Sequence, residues 1–233
     1  MAVIKIEAVT DLLCPWCYIG KKNLDRAIDQ YRVLDPTAEF EVAWKPFYLA
    51  PAMKNSGYDK RSIYVRRFTA NGSSFETNLL RVAETCARSG IALDLAGKTG
   101  NTRQAHKLLA LALARGPDVQ DRLLDALFRG HFETGADVTD RGFLLAAAAE
   151  AGLLCPTDAE DDFPGGGSLD GRDVEAVLDS ERAGEVVDAE VLRAKKAGVT
   201  GVPTFTVQGR WRVGGSQEPD VFLRVFERIT DED

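Results

Sequence analysis

Cysteine is scarce in this chain: four in 233 residues. That is too few for a disulfide scaffold and points to a reducing compartment, the cytoplasm, where a Cys-x-x-Cys pair signals catalysis or metal more often than a structural bridge. Long apolar runs are also missing. The longest clean one, Phe143 to Ala149, is far short of the roughly 20 residues a membrane span needs. The opening MAVIKIEAV has no basic region and no small-residue cleavage site, so no secretory signal is expected. No basic stripe offsets the net charge of −7, which argues against a nucleic-acid partner; YVRRF at 64–68 reads as a solvated helix face. The glycine-rich PGGGSLDG lacks the Gly-Lys-Ser/Thr ending of a phosphate loop and follows no strand, so it reads as a connection. What remains is an ordinary globular balance, 45% hydrophobic and 28% charged. The length suits one large domain or one domain carrying an insertion.

Hydrophobic periodicity orders the chain. Ile4, Ile6 and Ala8 alternate with Lys5 and Glu7, a strand pattern. Pro15 suits the first turn of a helix, where its missing N–H is no loss. Cys17, Gly20, Leu24, Ala27, Ile28 and Tyr31 follow at helical spacing until Asp35-Pro36 breaks the chain. Phe40, Val42 and Trp44 then alternate as a second strand, and the β-α-β order implies a parallel pair. From about 58 to 196 the pattern is helical with almost no strand signal. Ser73 and Glu76 fit a capping box, Gly90 ends the helix they open, and Thr139 is a candidate cap for a later, alanine-rich helix. Strands return in VPTFTV (202–207) and RWRV (210–213), joined by a tight Gln208-Gly209 turn. A last helix buries Val221, Phe222, Val225, Phe226 and Ile229. The simplest packing joins both ends of the chain into one mixed sheet with the helical block inserted between its halves.

Half of the cysteines stand three residues apart, in Cys14-Pro15-Trp16-Cys17. Cys14 falls at a strand-to-helix junction, where unpaired N–H groups and the helix dipole favour thiolate over thiol. Cys17 lies one turn inward and begins the buried stripe. The spacing predicts an asymmetric pair, an exposed attacking sulfur and a buried resolving one, suited to thiol–disulfide exchange. A zinc reading needs about four ligands. Cys86, Cys155, His106 or His131 would have to complete the set, yet Cys86 sits at an apolar helix position and no second close-spaced pair exists. No metal is expected, and Cys86 and Cys155 read as small buried hydrophobes.

With these residues in hand, the chain resembles the thioredoxin superfamily. It is closer to its DsbA-like branch, in which a helical domain is inserted, and D-x-x-C-P-W-C-Y-x-G is similar to the FrnE-like subfamily of dithiol–disulfide oxidoreductases and isomerases. AGVTGVPTFTVQGRWRVGGSQEPDVF (197–222) resembles the family's cis-proline loop, hairpin and closing helix; GNTRQAH (100–106) and HFETGADVTD (131–140) resemble its helical-domain segments. One departure is Gly214-Gly215-Ser216-Gln217, where the family often shows S-G-A-Q. The resemblance implies an α/β, thioredoxin-like mixed sheet with an inserted all-helical domain: 1–57 as the first half, 58–184 as the insertion and 185–233 as the second half. It makes Cys14 the nucleophile, Cys17 the resolving thiol, Pro15 and Trp16 the dipeptide that tunes the pair, and Pro203 the cis-proline facing it. The Val202 backbone would be turned toward a substrate strand. Asn101 and His106 would line the substrate cleft.

Several residues keep two readings. His106 contacts substrate, stabilises the Cys14 thiolate, or is a hydrogen-bonded structural histidine. Asp11 relays a proton or closes a strand-end turn. Trp16 is a substrate platform or packs against the helical domain. His131, near a helix end, reads as a cation-compatible terminal position; Trp44 and Trp211 read as core aromatics. The expected function is thiol–disulfide exchange on a protein or small-molecule substrate. No cofactor is tightly bound, glutathione is a candidate co-substrate, no membrane is involved, and the oligomeric state is open, a homodimer included. The alternative is a glutathione-dependent isomerase or transferase of the 2-hydroxychromene-2-carboxylate isomerase or kappa type. In those relatives a serine commonly replaces the first cysteine and the second is absent, so retention of both favours redox exchange. A peptide-binding module using the same cleft is the non-enzyme reading.

Overall fold

In a computed structural model of the protein, which describes residues 3–55, 57–69, 74–153 and 171–230, strand β1 (Ile4–Thr10) is central. Its side chains alternate inward and outward at first and are then buried on both faces. Helix α1 (Pro15–Leu34) follows, with Pro15 in its first turn and Asp35 in extended conformation at its end; a residue before proline is pushed out of the helical region, so Pro36 makes the stop. Strand β2 (Phe40–Pro46) returns parallel to β1, Ile4 opposite Phe40 and Thr10 opposite Pro46.

The middle is built from helices. A short ladder, β3 (Tyr58–Asp59) with β4 (Lys98–Thr99), brackets α2 (Lys60–Thr69) and α3 (Phe75–Arg88). The sequence pattern held no strand there because two residues are too few to show alternation. Next come α4 (Arg103–Arg115), α5 (Pro117–Glu133), α6 (Arg141–Glu150), α7 (Gly171–Asp179) and α8 (Glu181–Lys196). Two expected caps are displaced by one residue. Ser74, not Ser73, caps α3 by accepting from the Thr77 N–H, and Ser73 lies outside the described residues. Asp140 caps α6 through the Phe143 N–H at 2.7 Å, while Thr139 donates instead to Asp137. The Thr139 hydroxyl is engaged by the Asp137 carboxylate, and the cap falls to Asp140. Cys155 and positions 157–170 of the connection expected over 157–171 lie outside the described residues, while Gly171, expected to end that connection, already opens α7.

Strands β5 (Thr204–Val207) and β6 (Trp211–Gly214) close the sheet in the order β2-β1-β5-β6, with β5 antiparallel to β1. The turn between them, closed by the Arg210 N–H donating to the Val207 carbonyl at 3.0 Å, has left-handed backbone at both central positions, φ 50° at Gln208 and 66° at Gly209, and Val207 pairs with Trp211, so Arg210 belongs to the turn and not to β6. Helix α9 (Pro219–Thr230) lies beside α1. It buries Phe222, Phe226 and Ile229, with the Phe205 and Phe222 rings edge-on at 5.0 Å. Helices α4, α5 and α8 pack against β2. One apolar cluster runs through both parts, from Ile6, Leu24 and Phe205 to Leu108, Leu124 and Phe132.

Because β2 is the outer strand of the sheet, its free edge must find partners. The buried Gln120 of α5 supplies them: its amide oxygen accepts from the Trp44 N–H at 2.8 Å and its amide nitrogen donates to the Trp44 carbonyl at 2.8 Å. Trp44 is buried, as expected of a core aromatic. Trp211 is only half-buried and sits between the Arg210 and Arg228 guanidinium groups, because β6 is the opposite edge.

Candidate active site

The turn from β1 into α1 presents the cysteine pair. Cys14 is the residue at the helix mouth, with extended backbone and no side-chain cap, and the first helical turn carries no acidic residue. The Asp11 carbonyl accepts from the Cys14 N–H at 3.0 Å, and the Cys14 carbonyl accepts from the Cys17 N–H at 2.9 Å. Both cysteines are free thiols. The predicted asymmetry is present but slight: Cys14 is 6% exposed and Cys17 fully enclosed. Cys14 is thus the more accessible sulfur without being an exposed one, because the loop before β5 closes over it.

Burial also separates the two sulfurs chemically. The Cys17 thiol is pushed well above the ordinary range, first by burial, then by its hydrogen bond to Cys14 and by the charge Cys14 carries as an anion. The Thr10 hydroxyl and the Asp11 main chain act in the opposite direction. Cys17 is therefore held as a thiol. Tyr64, on α2, lies under the pair and donates to the Leu13 carbonyl at 2.8 Å. Burial, with the neighbouring Cys14 second, drives its hydroxyl far above the usual phenol range, so it keeps the proton that it donates.

The loop before β5 meets Cys14 directly. Cys14 Sγ donates to the Val202 carbonyl at 3.5 Å, and the Val202–Pro203 bond is cis. Gly20 makes this approach possible. A Cβ there would lie 3.0 Å from Pro203 Cγ and 3.2 Å from the Phe205 ring.

Asp11 ties the site together. Its carboxylate accepts from the Leu49 N–H at 2.7 Å and from the Thr102 hydroxyl at 2.9 Å, and it faces His106 Nε2 at 3.7 Å. It closes the turn and is also placed beside an ionisable ring. His106, on α4, is 2% exposed and packs near Tyr48. Asn101 staples a loop, donating to the Met53 carbonyl at 2.9 Å and accepting from the Arg103 N–H at 2.8 Å. Trp16 is half-buried with the Arg81 guanidinium of α3 5.4 Å from its ring, so it packs toward the helices and keeps one part open. His131 corrects the reading of a terminal cation. It is fully buried on α5, its ring pushed down to about 3 by burial and by the nearby Lys60 ammonium, which donates to its carbonyl.

Sequence reasoning missed Thr10, Tyr64, Thr102 and the role of Gly20. Only Gly20 carried a signal: a glycine inside an otherwise regular helix costs about 1 kcal/mol and calls for a packing reason. Among the described residues no cluster of His, Cys, Asp and Glu could hold a metal ion, and no helix is long and apolar enough to cross a membrane.

No curated protein matches the sequence. Among solved structures, a probable DsbA oxidoreductase from Streptomyces coelicolor is 28% identical, with a TM-score of 0.79 over 99% of this chain and 91% of that one. A 2-hydroxychromene-2-carboxylate isomerase is 15% identical with a TM-score of 0.65, covering 98% and 97% of the two chains. The cytosolic disulfide reductase DsbM from Pseudomonas aeruginosa, solved with GSH, is 18% identical with a TM-score of 0.59, covering 97% and 99%. The last two likenesses speak for the fold alone. The family description that matches residues 5–227 is the DSBA-like thioredoxin domain, and the chain belongs to that family.

Proposed function

We propose that the protein is a thiol–disulfide oxidoreductase or isomerase of the FrnE-like kind, working through Cys14 and Cys17. The observation that carries this reading is the meeting of Cys14 Sγ with the Val202 carbonyl at 3.5 Å. It places a helix-mouth sulfur against a backbone edge on which an extended substrate segment can lie. The Cys14 thiolate attacks one sulfur of a substrate disulfide, forming a Cys14–substrate disulfide and expelling the other sulfur as thiolate. The buried Cys17 then attacks Cys14, forming the Cys14–Cys17 disulfide and releasing the first substrate sulfur. The substrate gains two electrons and the pair loses two; an external dithiol restores the pair. Pro15 and Trp16 tune the pair, and Val202 and Pro203 hold the substrate. The substrate class is a protein or small molecule bearing a thiol or disulfide, with glutathione as co-substrate, in the cytoplasm. The likeness to the Streptomyces oxidoreductase supports this class.

The test is reduction of insulin disulfides with a dithiol donor. Cys14→Ser is expected to abolish turnover, and Cys17→Ala to leave a trapped mixed disulfide visible by mass. Turnover in Cys14→Ser equal to that of the unaltered protein would refute the assignment. Isomerisation of an aromatic substrate that needs glutathione and survives Cys17→Ala would replace it with the glutathione-dependent reading.

A further inference from the structure

The edge at Val202 is bordered by charge of one sign. The loop before β5 and the end of β6 line an open cleft of about 580 Å³, and the one charged residue in its wall is Arg212. Arg212 is exposed, and its guanidinium donates to the Ala197 carbonyl at 2.9 Å. A second set of cations reaches the cysteine pair from the helical block. Helix α3 packs on α1 and α2. It holds the exposed Arg81 guanidinium 5.4 Å from the ring of Trp16, inside the Cys14–Cys17 motif. On α2, Arg67 comes three residues after Tyr64, a spacing that shares one helix face. Its charge is felt at the Tyr64 hydroxyl that holds the Leu13 carbonyl. Among the described residues none of these three arginines has a carboxylate partner. Residues 60–88 carry six lysines or arginines against Glu76 and Glu84, in a chain of net charge −7, and Glu76 is engaged by the Ser74 hydroxyl at 2.5 Å. The sequence shows only the short YVRRF run; folding brings Arg81 and Arg212 to the same site. Beside Arg81, Leu80 is 62% exposed and adds an apolar contact surface.

Resting on the oxidoreductase reading and narrowing its substrate class, we propose that the partner is an acidic polypeptide: an extended segment with Asp or Glu beside its disulfide, its backbone on Val202 and its carboxylates on Arg212 and on the Arg67–Arg81 rim. A chain of net negative charge repels such a partner at a distance, so unpaired cations gathered around the reactive sulfur reverse the field where the encounter takes place. Val202 meets Cys14 at 3.5 Å, Trp16 lies two residues on, and Arg81 stands 5.4 Å beyond its ring. An extended segment of about six residues, roughly 20 Å long, covers that path and touches both sets of arginines. A guanidinium is suited to this task because its fork of N–H donors grips a carboxylate while its flat face rests on an aromatic ring.

The test uses three peptide disulfides of one length that differ only in whether the residues flanking the disulfide are glutamate, glutamine or lysine. The reduced protein is mixed with each, and the second-order rate is divided by the rate of the same peptide with dithiothreitol, which removes differences in intrinsic reactivity. The glutamate peptide is expected to exceed the glutamine peptide on the order of tenfold at low salt and the lysine peptide to fall below it. The preference should fade toward 1 M salt, where charges are screened beyond about 3 Å. The double variant Arg67→Gln, Arg81→Gln and the single variant Arg212→Gln should each shrink the glutamate-to-glutamine ratio several-fold, while Arg81→Lys should keep most of it. Arg224→Gln removes the same charge from α9 and should leave the ratio unchanged. Equal rates for the three peptides, a preference that survives the variants or high salt, or an equal loss in Arg224→Gln overturns the proposal while leaving Cys14 as nucleophile. A dependence on these arginines seen with glutathione disulfide and with none of the peptides overturns the polypeptide partner in favour of a small anionic disulfide. Failure to reduce any of the three peptides overturns the oxidoreductase reading itself.

Discussion

Gly20→Ala tests how tightly the two distant parts of the site are fitted. In the interior of a helix alanine is favoured over glycine by about 0.8–1 kcal/mol, so a position free of contacts would be stabilised by that much. Here the added methyl would stand 3.0 Å from Pro203 Cγ and 3.2 and 3.5 Å from two atoms of the Phe205 ring. Carbon atoms rest at about 3.5–4.0 Å, so one neighbour must retreat by several tenths of an ångström. Phe205 cannot yield. It is fully buried and held edge-on by Phe222 at 5.0 Å and Trp44 at 6.2 Å. The movement falls on Pro203, and with it on the Val202 carbonyl that Cys14 Sγ meets at 3.5 Å. Overpacking of this kind costs about 1–3 kcal/mol, which exceeds the helix gain. The expected outcome is a net loss of about 1 kcal/mol in urea unfolding at unchanged slope, with insulin reduction slowed several-fold. A variant more stable than the unaltered protein by the full helix increment would refute the reasoning, because it would mean that the loop is free to move away.

Gln120→Leu should destabilise the protein by about 3 kcal/mol in urea unfolding, since it strands the Trp44 N–H and carbonyl in an apolar interior; a loss below about 1 kcal/mol would show that water reaches the β2 edge. Acid should destabilise the protein through His131. Its folded-state value of about 3 lies below the ordinary 6.5, so the unfolded chain binds the extra proton as pH falls through that window. Stability contributed at neutral pH is thereby lost on the way to pH 3, by several kcal/mol. His131→Leu should flatten that part of the pH–stability curve, and an unchanged slope between pH 6 and 4 would contradict the burial argument.

How much of this could be read from the residues alone follows from what each pattern encodes. Long amphipathic stretches gave their elements away: the alternation in Ile4–Ala8 and Phe40–Trp44 and the apolar stripe of α9 needed no partner to be recognised. The two-residue ladder at Tyr58 and Lys98 was invisible because its cause is tertiary. The caps of α3 and α6 fall one residue later than expected because neighbouring residues of similar capping chemistry look alike in a sequence, and only geometry separates them. The cysteine pair was legible from its spacing and the family likeness. Its near-complete burial was not, since the cover comes from a loop about 190 residues away. His131 misled for a similar reason: its place near a helix end was right, but the solvent expected there is replaced by Phe132 and Lys60.

The β1–α1 turn contributes Thr10, Asp11, Cys14 and Cys17, and besides the Leu49 N–H on Asp11 it is held by three more distant groups. Tyr64 of α2 binds the Leu13 carbonyl, Thr102 at the start of α4 binds Asp11, and Val202 meets Cys14. Two of these three anchors come from the helical block and one from the second half of the sheet. A cut that kept only the strands and their covering helices would preserve the hydrogen-bonded order of the sheet and the Leu49 N–H on Asp11, yet it would take the Tyr64 hydroxyl from the Leu13 carbonyl and the Thr102 hydroxyl from Asp11. The helices are therefore not merely a lid over a finished centre. They supply the polar contacts that fix the turn, and the burial that keeps one sulfur protonated while the other is free to react.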